Sequence, residues 1–200
     1  LSRGPVQWDV SANVSANRNR VLELARNSDV FGQTLSNPLG VPVNLVRVGQ
    51  PVGVFFGFRE NGLDEKGAIR FVDQNGDGLI NDNDRTLIGN PNPRFTYGFN
   101  STTTFKNFEL TVFLQGVQGV DLINGTNRWT TANPDPAAKY PKVSVNTRFR
   151  ASDRYVEDGS YLRLKNIQLA YNLPAAKLGL TWLRSAQVYL SAQNLLTLTK

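Results

Sequence analysis

The 200-residue chain contains no cysteine, no methionine and no histidine. Without imidazole or thiolate it cannot build a Ser-His-Asp triad, a cysteine nucleophile, a haem or iron–sulfur centre, the usual zinc sites or a disulfide framework. Charge is also sparse. Charged residues make up 19% and apolar residues 40%, a globular balance rather than a disordered or coiled-coil one. No stretch approaches the roughly 18 consecutive apolar residues of a transmembrane helix, a test that leaves membrane β-barrels open. The opening Leu1-Ser2-Arg3-Gly4-Pro5 has neither a charged n-region nor an apolar core, so no signal peptide is read there and the chain is either cytoplasmic or an excerpt. Lys and Arg outnumber Asp and Glu by 22 to 16, but the bases are scattered among acids, and no nucleic-acid face is expected. At about 150 residues per domain, the length allows one large domain or part of something larger.

What is present in quantity is alternation. From Val6 to Ala16 the even positions read Val6, Trp8, Val10, Ala12, Val14 and Ala16, and every odd position between them is polar. Such a segment is a strand with one apolar and one wet face. The pattern returns at Phe95, Tyr97, Phe99 and on to Phe105, then after the turn Lys106-Asn107 at Phe108, Leu110, Val112 and Leu114. This predicts a long hairpin pairing 94–105 with 108–119. Between Tyr161 and Asn172 the apolar phase slips by one residue near Lys165-Asn166, as a β-bulge requires. Ala186, Val188, Leu190 and Ala192 form the next strand, expected to pair 185–196 with 160–172. A weaker strand pair lies between Val43 and Phe58, and Ala175 to Leu180 reads as a helical turn. Long Gly/Asn/Asp/Pro-rich connections fill 27–42, 59–93 and 121–158.

The polar rows are mostly uncharged Ser, Thr, Asn and Gln, the division expected of a membrane barrel with lipid outside and water inside. Trp8, Tyr171, Trp182 and Tyr189, near strand ends, suit an interfacial aromatic girdle. A soluble sandwich with aromatic core residues shares the same period, so the pattern alone leaves both open.

One loop carries a chemical motif. Over residues 73–84, side-chain oxygens of Asp73, Asn75, Asp77, Asn81 and Asp84 fall at loop positions 1, 3, 5, 9 and 12, Gly78 stands at position 6, and Leu79 at position 7 offers its carbonyl. A hard cation such as calcium needs six to eight oxygens gathered by a sharp turn, and this spacing predicts a structural Ca2+ site. Asp84 replaces the usual Glu, and the flanks Ile69–Val72 and Thr86–Ile88 look like strands rather than helices. The other reading is a pair of Asn-Gly and Asp-Gly turns that merely reverse the chain. Weaker candidates are the carboxylates Asp153, Glu157 and Asp158, which lack the facing arrangement of a glycosidase pair, and the bases Lys139, Lys142, Arg148, Arg150 and Arg154, which could meet anionic sugar or lipid phosphate. The sequons Asn13-Val14-Ser15 and Asn124-Gly125-Thr126 are common by chance. No set of catalytic groups emerges, and an enzyme is not expected.

A series of local motifs then adds to this reading. Gly49-Gln50-Pro51-Val52-Gly53, Phe56-Gly57-Phe58, Asp73-Gln74-Asn75-Gly76-Asp77-Gly78, Ile88-Gly89-Asn90-Pro91, Pro93-Arg94-Phe95-Thr96-Tyr97-Gly98, Tyr155–Ile167 and Gln193-Asn194-Leu195-Leu196-Thr197 occur in this order. The series resembles the C-terminal part of the barrel of SusC/RagA-type TonB-linked outer-membrane transporters over most of 43–199; residues 1–42 match only as a barrel strand. The resemblance implies an all-β chain, an antiparallel segment of a large transmembrane barrel with long extracellular loops. Residues 1–200 would be one partial barrel domain, without the plug and the final strands, carrying the calcium-type loop at 73–84. It further implies import of oligosaccharides or peptides, with a SusD-like surface lipoprotein, TonB and outer-membrane lipid as partners and no nucleic acid. The competing class is a secreted calcium-binding β-sandwich or carbohydrate-binding module.

Overall fold

The computed structural model describes residues 5–26, 28–34, 41–124, 150–174 and 185–199. Among them the chain forms thirteen strands. They are β1 (Val6–Ser15), β2 (Val30–Phe31), β3 (Asn44–Val46), β4 (Val54–Gly57), β5 (Glu60–Leu63), β6 (Ile69–Phe71) and β7 (Thr86–Gly89). β8 (Phe95–Phe105), β9 (Phe108–Gln118), β10 (Asp121–Ile123), β11 (Val156–Asp158), β12 (Tyr161–Leu173) and β13 (Ala186–Thr199) follow. No helix among the described residues is long and apolar enough to cross a membrane, which says nothing of crossing by strands.

The contacts divide the chain into two compact units. The first comprises Leu1–Asn17, Arg94–Gln118 and Gly159–Lys200, and the second Arg18–Pro93 with Gly119–Asp158. The first unit is a five-stranded antiparallel sheet in the order β1-β8-β9-β12-β13. Both long hairpins expected from alternation are there, β8 with β9 through Lys106-Asn107 and β12 with β13. The turn is secured from its neighbour: Asn107 Nδ2 donates to the Asn172 carbonyl at 2.7 Å, and the Asn172 N–H returns to the Asn107 carbonyl at 2.8 Å.

Register sorts the side chains into cross-strand rows, because residues directly opposite share a face. One row reads Trp8, Thr103, Leu110, Leu169, Leu190, the next Val10, Ser101, Val112, Ile167, Ala192, and the next Ala12, Phe99, Leu114, Leu164, Leu196. The alternate rows read Asp9, Thr102, Thr111, Gln168, Ser191 and Asn13, Gly98, Gln115, Arg163, Thr197. The phase slip is a real irregularity: pairing of β12 with both neighbours shifts between Leu164 and Asn166, so Leu162 and Leu164 share a face with Ile167 and Leu169. Without that extra residue the downstream half of β12 would turn its leucines to the wet side. Tyr97 lies over Gly116, where a Cβ would collide with the phenol ring, so an aromatic covers a glycine in mid-sheet.

The second unit holds a four-stranded sheet, β2-β3-β4-β7, and two ribbons, β5-β6 and β10-β11. The weak strand pair read between Val43 and Phe58 is β3 with β4 in this sheet. The strand-like flanks of the 73–84 loop are β6 and β7, which pair with β5 and β4 respectively and not with each other. Two small clusters make its core, Val43 with Ala151 and Tyr155, and Leu45 with Val54 and Phe56. The residues returning to β11 are clamped to the start of β5: Arg154 Nε reaches Glu60 Oε1 at 2.7 Å, Ser152 Oγ donates to the same oxygen at 3.1 Å, and Asp153 Oδ1 accepts from the Glu60 N–H at 3.0 Å. The helical turn expected at 175–180 lies outside the described residues.

Candidate functional site

Two features carry chemistry, and the first is the sheet itself. Its apolar rows face outward without cover: Leu190 is 78% exposed, Val188 62% and Trp8 49%. A sandwich would bury these residues. Val6, Val10, Phe95 and Leu110 are exposed as expected, while Phe99 and Val112 are half-buried by their neighbours. Trp8 satisfies its indole locally, the N–H donating to Ser101 Oγ on the same face at 2.9 Å. Near the Lys106 turn the rings of Phe108 and Tyr171 pack 4.7 Å apart between centroids. The girdle expectation fails for Tyr189, whose register partner Ala170 lies opposite Glu109 in a polar row; a period of two leaves an odd-numbered residue of β13 no other face. Trp182 lies outside the described residues.

The second feature is the 73–84 loop. Asp73 folds over it, its two carboxylate oxygens accepting from the N–H groups of Gly76 and Gly78, each at 2.7 Å. Both of those glycines take left-handed backbone angles, φ 75° and 79°, the reason glycine stands there. Asn75 and Asp77 form successive Asx turns, Asn75 Oδ1 accepting from Asp77 N–H at 3.0 Å and Asp77 Oδ1 from Leu79 N–H at 2.8 Å. Asn81 caps the single turn Asp82–Asp84 through Asn83 N–H. Asp84 is fully buried, its two oxygens accepting from Gln74 N–H and Asn81 N–H at 2.8 Å each. The Asn81 N–H, with the Gln74 N–H behind it, holds the Asp84 carboxyl below its usual range against the opposing effect of burial.

Asp73 and Asp84 are therefore brought together across the loop, while Asp77 turns to Asn75 Nδ2 and Leu79 is 67% exposed. No three His, Cys, Asp or Glu side chains among the described residues converge as metal ligands would. Beside the loop stands Arg85, which the sequence reading noted with Asp84 but gave no role; its guanidinium lies 4.7 Å over the Phe56 ring and donates to the Pro42 and Phe56 carbonyls at 2.7 and 3.2 Å. Its place directly after the loop was the available signal. Of the weaker candidates, Arg150 stacks on Phe58 and Phe71, Arg154 is taken by Glu60, and Asp153 caps β5, so these are structural. Lys139, Lys142 and Arg148 lie outside the described residues.

Long antiparallel strands with one uncovered apolar face and one polar face of mostly uncharged residues define the wall of a membrane β-barrel. The chain is 32% identical over 225 aligned positions to TonB-dependent receptor P3 of Formosa agariphila, a match covering 96% of this chain and 22% of that protein. It is 30% identical to TonB-dependent receptor P26 of the same organism, over 94% of this chain and 22% of the other, and 25% identical to SusC of Bacteroides thetaiotaomicron, over 82% and 18%. No family model matches. The structure titled RagAB peptide transporter superposes with a TM-score of 0.81 at 23% identity, covering all of this chain and 24% of that one, and so shares the fold. The chain belongs to the SusC/RagA-type TonB-dependent receptors of the outer membrane. It spans about a fifth of the length of the curated relatives it matches. Those relatives are receptors and transporters, not enzymes.

Proposed function

We propose that the intact protein imports oligosaccharides or peptides across the outer membrane, energised through TonB and covered by a SusD-like surface lipoprotein. The observation that carries this reading is the two-faced five-stranded sheet. The names of SusC and of the RagAB importer support the substrate class and the partners. In this reading the Lys106-Asn107 turn is periplasmic, since barrels keep short turns on that side, and the connections 16–94 and 119–160, which leave the opposite end of the sheet, are extracellular. Uptake of labelled oligosaccharides and peptides by cells carrying the full-length protein tests it. Accumulation should depend on TonB and on the membrane potential; accumulation unchanged by loss of TonB would overturn the reading.

A structural calcium ion in the 73–84 loop belongs to the same proposal. The donor chemistry suits a hard cation, because each oxygen of Asp73 and Asp84 spends one lone pair on a backbone N–H and keeps another. Asp73, Asn75, Asp77, Asn81, Asp84 and the Leu79 carbonyl would hold it, which requires the Asp77 carboxylate to leave Asn75 Nδ2 and turn inward. Calcium would neutralise the facing carboxylates and stiffen the loop. Calorimetric titration of the metal-stripped protein decides the matter: no heat at millimolar calcium, and no protection of the loop from proteolysis, would leave only the pair of turns.

A further inference from the structure

The polar face of the sheet is not uniform. Its acids, Asp9 and Glu109, stand in the two rows nearest the Lys106 turn, whereas Arg163 stands in a row towards the other end, beside Gln115 and Thr197. Along β9, six residues separate Glu109 from Gln115, about 20 Å at roughly 3.3 Å per residue. Screening extends only about 8 Å at physiological salt, so these acids do not neutralise the arginine.

Arg163 is held in a particular way. Its Nε donates to Thr197 Oγ1 at 3.0 Å, and its guanidinium carbon lies 4.8 Å from the centroid of the Tyr161 ring. The tether and the stack fix the plane of the group. They also leave the two terminal nitrogens, the forked edge that pairs with a carboxylate, without an acceptor among the described residues. Two positions on, at the bulge, stands Lys165, a second cation, whose Nζ meets the neutral Asn194 Oδ1 at 3.1 Å and no carboxylate among the described residues. Asn194 takes a left-handed backbone (φ 53°), uncommon for a residue inside a strand, where the pairing of β13 skips from Gln193 to Leu196. Bulges re-aim side chains, and this one sets a second cation beside Arg163 in sequence, at the end of the sheet away from Asp9 and Glu109.

We infer that Arg163, stacked on Tyr161 and supported by Lys165, is a binding station for carboxylate groups of the solute that passes this wall. The inference rests on the transport reading, in which the polar face lines the lumen, and it narrows the cargo to solutes bearing carboxylates. A preorganised guanidinium binds such a group through two parallel N–H···O bonds, and the neighbouring ammonium adds charge without geometry. The next polar row, Ser11, Asn100, Phe113, Asn166 and Gln193, is neutral and separates the arginine from the rows of Asp9 and Glu109.

The test is equilibrium binding of hexaglutamate, with hexaglutamine as the neutral match, to the detergent-purified full-length protein. Hexaglutamate should bind and weaken with added salt; Arg163→Gln should weaken it about tenfold, Lys165→Gln by less, and Arg163→Lys should restore part of the loss. The signature of strand pairing in the far-ultraviolet spectrum should not change, because neither cation contributes to the backbone ladder. Failure of hexaglutamate to bind, or equal loss for both peptides on Arg163→Gln, overturns the station whatever uptake shows. Binding that follows this pattern without TonB-dependent uptake overturns the transport reading and leaves the station standing.

Discussion

The sheet of the first unit and the loops of the second draw on the same residue types and solve opposite problems. In the second unit, two clusters of apolar side chains are enclosed by the chain's own folding: Leu45 and Tyr155 are 1% and 2% exposed. In the sheet, strands of ten to fourteen residues leave their apolar rows open, and all ten residues of β1 are exposed. Hydrogen bonding differs in the same sense. The sheet satisfies its backbone in ladders, while the second unit satisfies much of it with side chains of Asn and Asp, as at Val52, whose N–H and C=O are taken by Asn19 and Asn92. The difference teaches that the solvent of each unit can be read from where its apolar surface ends up. One unit folds against itself in water, and the other needs lipid.

The comparison breaks most sharply if charge is placed on one face of the sheet and not the other. Val112 lies in a middle apolar row, and Thr111 beside it lies in a polar row. Val112→Arg should cost about 4 kcal/mol, the upper range for arginine at the lipid midplane, and should suppress assembly of the full-length protein in the outer membrane. Thr111→Arg should assemble normally. Equal loss from the two would mean that the apolar rows do not face lipid.

A smaller effect is expected where the second unit is sealed by its own ion pair. The side chains of Arg154 and Glu60 are 7% and 15% exposed. Removing one partner leaves a nearly buried charge, so Arg154→Ala should cost about 3 kcal/mol. Hydrogen exchange should quicken in β5, β10 and β11 while β8 and β9 keep their protection. Loss of protection spread evenly over both units would show that they do not melt separately.

The sheet was legible in the sequence because its signal is long. Eleven-residue alternations admit one period, and the slip at Lys165-Asn166 could be read as a bulge since leucines stood on either side of it in opposite phase. The second unit was legible only in fragments. Its strands run two to four residues, too short to show a period, and β2, β5, β10 and β11 are held by side-chain clamps such as Glu60 with Ser152 and Arg154, which join positions more than ninety residues apart. Local pattern cannot foretell such pairs. The calcium motif sits between these cases: its spacing was plain, and the turns it predicts are formed, yet the sequence gives no measure of where each carboxylate points. Tyr189 shows the converse error, an aromatic assigned to the girdle by type when its parity had already set its face.

The smallest expected effect is local and concerns Asp84. Its two oxygens accept from Gln74 and Asn81 N–H groups inside a site closed to water, and those bonds need the ionised form. Since the folded carboxyl titrates below its ordinary value near 3.9, it stabilises the loop fully above that value, and the contribution fades as pH falls through it towards the folded value. Asp84→Asn imitates the acid limit at neutral pH: the amide offers one acceptor where two N–H groups wait, and its own N–H2 faces a donor. Exchange of the amides in 73–85 should quicken in the variant at pH 7 and become insensitive to acid, whereas in the unsubstituted protein the same amides open only below about pH 4. The sheet should be indifferent in both, because no carboxylate holds its ladder. If the variant loop stays closed at neutral pH, the two N–H bonds do not hold it, and the burial of Asp84 must have another cause.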